Sequence, residues 1–409
     1  MLRLVPPKEL RIAIDVTPLQ TGHAYRGIGV YARMLVAGLL VAHPQEEWVL
    51  FSLPPPALDL REELSLGSQV RLVHIPGVPR RLVSLITAPP GLGRLRGVLR
   101  LASLFIAYQV LLPLALRRVR ATLFHSTSVD VQPTVPYFTP CPTVVTLHDI
   151  VPLLFPEHYL RSRRDALIYK AMLRKARGTA HIITDTEASR ADIVRRLRVP
   201  NSTVSAVPLG VKAQLPPATS SPGDHDQRPV QPYFIYAGTL DYVKNIDNLL
   251  AAFSRVVAES PSVKLVMIGH SAEDLGRHLN GDADTYAYIV HLGFVPREQV
   301  LPLFSGARGA VACYRYQGFG LPIAEAMAAG CPVITSNCGA MKEVAGGAAL
   351  LVPPESPAEI ARAIMSLERD DHLHAKLRRL GLARAQQLDW RTTVEATWQV
   401  YRNIVASDG

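Results

Sequence analysis

Residues 213–232 read AQLPPATSSPGDHDQRPVQP, and they interrupt a strand–helix alternation that stops before them and starts again after them. Ahead of the break come short β-rich runs: Leu10 to Val16, Trp48 to Phe51, Val70 to Ile75, Leu123 to His125, Thr143 to Leu147 and Ile182 to Thr184. Between them lie stretches of helical periodicity, Tyr31 to Val41 and Glu187 to Leu197 among them. After the break, Tyr233 to Ala237, Val263 to Ile268, Val290 to Leu292, Gly309 to Cys313 and Pro332 to Thr335 read as strands. Helices are predicted at Asn245 to Val257, Arg297 to Phe304, Ile323 to Ala329 and Arg391 to Val405. Strands that alternate with helices call for parallel sheets covered on both faces. An α/β chain of two doubly wound, Rossmann-like domains is therefore expected. The domains are 1–213, a linker at 214–232, and 233–390, with 391–409 crossing back onto the first.

Length agrees with two domains, because a single hydrophobic core stops growing at about 250–300 residues and this chain has 409. Hydrophobic residues are 48% and charged residues 19%, a globular and rather apolar balance. The four cysteines, Cys141, Cys313, Cys331 and Cys338, form no Cys-x-x-Cys pair, which speaks against zinc and for buried reduced thiols. No secretory leader is visible in the first residues, where Asp15 falls in the apolar run, so a cytoplasmic location is expected. The net charge of +10 favours anionic partners. No interleaved basic and aromatic motif accompanies it, so nucleic acid is not expected. An anionic membrane face suits it better, through Arg161, Arg163, Arg164 and Lys170 or through the region from Arg94 to Arg120. Leu101 to Leu116 is apolar, broken by Gln109 and Pro113, and flanked by arginines. It is short of the roughly 20 residues a spanning helix needs, which leaves a buried helix or an interfacial one.

Four segments carry chemistry. Tyr314-Arg315-Tyr316-Gln317-Gly318-Phe319-Gly320-Leu321-Pro322 joins a strand to a helix that contains Glu325. Gly318 and Gly320 permit close backbone approach, amides at Gly320 and Leu321 suit a diphosphate, and a carboxylate at 325 suits a ribose diol. Alone, this pattern reads more readily as a tight turn with a solvated glutamate. Gly238-Thr239-Leu240 with Lys244 places a cation where a strand meets a helix, which suits a phosphate or an ordinary surface lysine. His148-Asp149 follows a strand, where site residues collect, and equally suits a structural histidine. Arg26-Gly27-Ile28-Gly29 reads as a glycine loop, open to a ligand or to a plain turn.

In their order these segments resemble the family 4 retaining glycosyltransferases, mannosyltransferase-like members included. The resemblance also takes in Val207-Pro208-Leu209-Gly210-Val211, His291-Leu292-Gly293-Phe294-Val295, Glu325-Ala326-Met327-Ala328-Ala329-Gly330-Cys331-Pro332-Val333 and Glu343-Val344-Ala345-Gly346-Gly347. It implies the GT-B fold, two domains facing across a cleft, and retaining hexosyl transfer that needs no metal or other cofactor. The co-substrate is a nucleotide-diphosphate sugar, a GDP-sugar by the mannosyltransferase flavour of the motifs. The acceptor is a glycan or a lipid-linked one, in polysaccharide or glycolipid synthesis, with peripheral contact at the inner membrane face. Gly27 and Gly29 are then placed under the donor phosphates. Gly238, Thr239, Lys244, Gly318, Gly320 and Leu321 surround the diphosphate, and Glu325 holds the ribose. Gln317 and Phe319 lie by the transferred sugar, and His148 meets its primary hydroxyl. Catalytic roles thus fall to His148, Lys244 and Gln317.

Two departures stand out. Gln317 occupies a position that is usually glutamate, and Val243 and Thr239 occupy positions where an arginine is common. Phosphate neutralisation then rests on Lys244, or on Arg26 or Arg315. A catalytically impaired sugar-nucleotide-binding protein is the alternative these departures suggest.

Overall fold

The computed structural model describes residues 10–20, 24, 27–53, 60–64, 66–67, 70–75, 102–129, 135–211, 232–279 and 283–407. They form two compact α/β units. One comprises Met1–Asp185, Ser189–Val207 and Trp390–Gly409, and the other Thr186–Ala188 and Pro208–Asp389.

The first unit holds seven parallel strands: β1 (Arg11–Asp15), β2 (Glu47–Ser52), β3 (Arg71–His74), β4 (Leu123–Ser126), β5 (Thr143–Thr146), β6 (His181–Thr184) and β7 (Val204–Ala206). They are ordered β3-β2-β1-β4-β5-β6-β7. The second holds six: β8 (Tyr233–Ala237), β9 (Lys264–Ile268), β10 (Ile289–Gly293), β11 (Gly309–Ala312), β12 (Val333–Ser336) and β13 (Leu350–Val352), ordered β10-β9-β8-β11-β12-β13. Burial explains the sequence pattern. Every residue of β4, β5, β11 and β12 is buried, so helices cover both faces there and no polar alternation marks a solvent face. The edge strands β3 and β10 contain no fully buried residue. The short edge strands β7 and β13, three residues each, were not foreseen from the sequence. Strand order reverses between β1 and β4 in one sheet and between β8 and β11 in the other. Ligands of doubly wound sheets bind at such points, outside the carboxyl ends of the strands.

The unit boundary falls at Val207/Pro208 rather than at 213. The Val207 amide still bonds the Thr184 carbonyl of the first sheet, whereas the Val211 amide bonds the Leu388 carbonyl. Residues 186–188 go with the second unit because Thr186 Oγ1 donates to the Gly318 carbonyl (2.9 Å) and the Glu187 and Ala188 amides donate to the Glu343 carboxylate. Residues 214–231 of the expected linker lie outside the described residues.

The closing helix, Trp390–Ser407, packs within the first unit on the helix Gly27–Ala42. Trp398 stacks on His43 with ring centroids 4.1 Å apart, and Tyr401 is fully buried. Two further helices precede it, Pro357–Arg369 and Asp371–Gln387. Ser356 and Asp370 cap them, accepting the Glu359 and Leu373 amides that a helix start leaves unpaired.

Ala102–Val119 is helical and long and apolar enough to cross a membrane by composition, yet 44% of it is buried. Leu104, Ala107, Tyr108, Leu112, Leu116 and Val119 pack with Ala13, Val49, Phe51 and Phe124 of the sheet. The opposite stripe, Phe105, Ile106, Val110 and Leu114, is exposed. The buried-helix reading holds for one face, and the other leaves an exposed apolar stripe.

Candidate active site

In the second unit the switch point is formed by the ends of β8 and β11. β8 runs into Gly238 and Thr239, and β11 runs into Cys313 to Gly320. Gly320 has a left-handed backbone (φ 97°), a conformation glycine adopts without penalty, and the helix Leu321–Ala328 begins directly after it. With Pro322 in the first turn, the amides at Gly320 and Leu321 are the ones the chain presents there.

Lys244 ends a short 3-10 turn and is followed by Asn245, also left-handed (φ 59°). Asn245 Nδ2 donates to the carbonyls of Cys313 (2.8 Å) and Pro354 (2.6 Å), which ties the β8 and β11 loops together. Lys244 Nζ then reaches Gln317 Oε1 at 2.9 Å and lies over the Tyr314 ring, 4.3 Å from its centroid. Gln317 Nε2 donates to the Tyr316 carbonyl (3.0 Å). The residue that replaces the usual glutamate is therefore a neutral acceptor for the site lysine. Arg315 binds the Glu355 carboxylate (2.7 Å) and the Tyr242 carbonyl (2.9 Å), so its charge is already balanced within the loop framework. Lys244, by contrast, meets a neutral acceptor in Gln317. Thr239 Oγ1 donates to Asp241 (2.6 Å), and His270 Nδ1 donates to the Gly238 carbonyl (3.1 Å). Phe319 is buried.

Glu325 sits in the second turn of the Leu321 helix with its side chain 10% exposed. Burial pushes its carboxyl above the usual range, and Arg297, which ion-pairs with it, pulls it back. This partner, from the start of the helix Arg297–Gly306, was not foreseen from the sequence.

In the first unit, Gly27 and Gly29 are not a loop. They form the first turn of the helix Gly27–Ala42, Gly27 exposed and Gly29 buried. The tyrosine and leucine face of that helix, Tyr31, Leu35 and Leu39, is buried and carries the glycines into helical geometry. Arg26 lies outside the described residues. His148 follows β5, its side chain 11% exposed. Asp149 caps the next turn, accepting the Val151 amide at Oδ1 (2.9 Å). The acidic partner of His148 is instead Asp185, past the end of β6, with its two oxygens 2.9 and 3.1 Å from Nδ1. Tyr31 packs edge-on against the imidazole at 4.8 Å. Tyr31 Oη meets Thr146 Oγ1 (2.8 Å), and Thr146 meets His125 Nε2 (2.8 Å). Asp15, at the end of β1, is buried, and burial pushes its carboxyl up to about 6 against the Thr17 amide bond.

A cavity of about 680 Å³ opens at the other ends of β5 and β6, lined by Tyr137, Thr143, Arg174 and Lys175. It is at the amino end of those strands, away from His148. Among the described residues, no cluster of three or more His, Cys, Asp or Glu side chains is arranged to hold a metal.

Residues 231–370 match the family model Glycosyl transferases group 1. Over 410 aligned residues the chain is 29% identical to O-antigen chain mannosyltransferase B of Escherichia coli, covering 96% of this chain and all of that one. It is 31% identical to the phosphatidyl-myo-inositol mannosyltransferase of Mycolicibacterium smegmatis over 167 residues, 39% of this chain and 42% of the relative. In fold it is similar to sucrose-phosphate synthase from Thermosynechococcus elongatus, with a TM-score of 0.73 and 21% identity, covering 98% of this chain and all of the other. The two parallel-sheet units have the GT-B fold, the second carries the glycosyl transferases group 1 match, and the similarity to a mannosyltransferase extends across both.

Proposed function

We propose that this enzyme transfers mannose from GDP-mannose, with retention at the anomeric carbon and without a metal ion, to a glycan or lipid-linked acceptor in polysaccharide or glycolipid synthesis. The observation that carries the reading is the Lys244–Gln317 pair beside the helix start at Gly320. A lysine that meets a neutral acceptor, next to the amides of a helix start, suits a diphosphate. As the sugar–phosphate bond breaks, negative charge grows on the leaving diphosphate. Fixed N–H dipoles and the ammonium stabilise that charge more than they stabilise the bound donor, which is what lowers a barrier. In this reading Glu325 takes the ribose hydroxyls, Phe319 and Gln317 lie by the hexose, and the acceptor hydroxyl attacks from the leaving-group side. The named activity of the full-length E. coli relative favours mannose and favours an active enzyme over an inactive binder.

The exposed stripe Phe105, Ile106, Val110 and Leu114 supports docking on an anionic bilayer at the inner membrane face. Arg117, Arg118 and Arg120 follow it, all exposed, and Phe138 is 87% exposed. Gln109 joins the two parts, donating to the Val135 carbonyl and accepting the Tyr137 amide. Apolar side chains rimmed by arginines suit the boundary between headgroups and acyl chains. Arg94, Arg96 and Arg100 lie outside the described residues.

The test is nucleotide release from GDP-, UDP- and ADP-hexoses with lipid-linked acceptors, in the presence and absence of EDTA. GDP release from GDP-mannose, unchanged by EDTA, is expected. Failure with every donor sinks the enzymatic reading, and loss of rate with EDTA sinks metal independence. Sedimentation with anionic vesicles at low and high salt tests the docking face; no binding at low salt removes it.

A further inference from the structure

We infer that Asp185 is the positioning residue of the reacting site, and that it acts by fixing the tautomer and the orientation of His148. The inference rests on the reading of His148 as a sugar-contacting group. Both carboxylate oxygens of Asp185 lie within hydrogen-bonding distance of Nδ1, at 2.9 and 3.1 Å, and the side chain is 4% exposed. An ionised carboxylate only accepts, so Nδ1 carries the proton and Nε2 is the ring's lone-pair nitrogen. In water a neutral imidazole exchanges its proton between the two nitrogens. A buried carboxylate removes that choice, and it also makes the ring a stronger acceptor. Nε2 is buried in this structure, and on the proposed reading of His148 it is the atom that accepts from a hydroxyl of the sugar.

The ring is held from a second direction. Tyr31 packs edge-on against it, and Tyr31 itself is fixed by Thr146. Thr184 Oγ1 reaches the His148 carbonyl (3.4 Å), so the strand that ends just before Asp185 also holds the histidine backbone. Asp149, the residue next in sequence, instead accepts the Val151 amide through Oδ1. The two elements that carry the pair are neighbours in the sheet, β5 beside β6, and the loops at their carboxyl ends bring residues 37 positions apart into one hydrogen bond.

The experiment compares wild type, D185A, D185N, H148A and the D185A/H148A double variant in steady-state transfer from GDP-mannose. It also reads the 15N signals of His148 in the intact protein, assigned by their loss in H148A. The expected result is a kcat for D185A lowered on the order of ten- to a hundredfold, the range for removing the carboxylate behind a working histidine. The donor KM stays within about threefold, because the group removed touches no donor atom. The double variant is no slower than H148A, and wild type shows a protonated Nδ1. If D185A does not fold, the isosteric D185N replaces it and the wild-type tautomer stands as a separate test. A full kcat in D185A or D185N beside a damaged H148A overturns the inference alone, as does an Nε2–H tautomer in wild type. An undamaged H148A overturns the reading of His148 and the inference with it.

Discussion

Arg297→Met isolates the electrostatics of Glu325. The carboxylate is 10% exposed and its partner guanidinium 57% exposed. Removing one partner of a fully buried pair costs about 3–5 kcal/mol, because a charge is left without compensation. Half of this pair is in water, so screening brings the figure down toward the surface limit, and a loss of about 1–2 kcal/mol is expected at pH 7.5. For a unit of this size that is a melting temperature lower by roughly 2–8 °C.

The sign of the pH dependence follows from the direction of the carboxyl shift. Burial raises the Glu325 pKa, and Arg297 opposes the rise. A carboxyl with a raised folded-state pKa holds its proton more tightly when folded. Burial therefore imposes no charge-desolvation cost while it is protonated, and that cost grows as pH rises through the interval above the ordinary glutamate value. Loss of Arg297 widens that interval. At pH 4 Glu325 is protonated and the arginine has little to compensate, so wild type and Arg297→Met should melt together. At pH 7.5 they should separate. Thermal melts of both proteins at both pH values decide it, with Glu325→Gln/Arg297→Met as the control that shows no pH-dependent gap. A gap of equal size at pH 4 and pH 7.5 would refute the reasoning, since the arginine would then be acting through packing of its alkyl stem.

Lys244→Ala should lower kcat/KM for the donor about 10- to 150-fold, the worth of one charge-assisted bond of about 1.5–3 kcal/mol; steady-state kinetics showing less than about a twofold change would remove Lys244 from the diphosphate site. A Cβ on Gly38 falls onto Val394 Cγ2 of the closing helix. Gly38→Ala should therefore cost about 1–3 kcal/mol in urea unfolding, and Val394→Ala in the same chain should restore most of it; no restoration would place the strain elsewhere. Burial pushes the His125 imidazole down to about 3. A histidine held neutral in the fold loses stability as pH falls from its ordinary value toward 3, at up to about 1.4 kcal/mol per pH unit. His125→Gln should flatten the fall in unfolding free energy between pH 6.5 and pH 5, and parallel slopes would show that another group sets it.

The central strands were legible because burial on both faces leaves them short and β-rich with no polar alternation, β4, β5 and β11 among them. β7 and β13 were not, since three residues at a sheet edge carry too little pattern. Gly27 and Gly29 read as a loop because glycine is a poor helix former, worth about 1 kcal/mol against alanine. The buried face of Tyr31, Leu35 and Leu39 outweighs that local preference. The candidate site divides in the same way. Gly238, Lys244, His148 and Gly320 were found by their place after strands, and a strand end is a local property. Asp185 for His148, Gln317 for Lys244 and Arg297 for Glu325 were not, because each pair is joined by the fold across 37, 73 and 28 positions. Local pattern names the candidate groups, whereas their charge and protonation depend on partners that only topology supplies. Gln317 shows the consequence. By sequence it is a missing charge, and in the structure it is the acceptor that holds the one lysine the diphosphate reading needs. Its replacement by glutamate would pair that lysine with an anion, so restoring the family's usual residue need not raise activity in this chain.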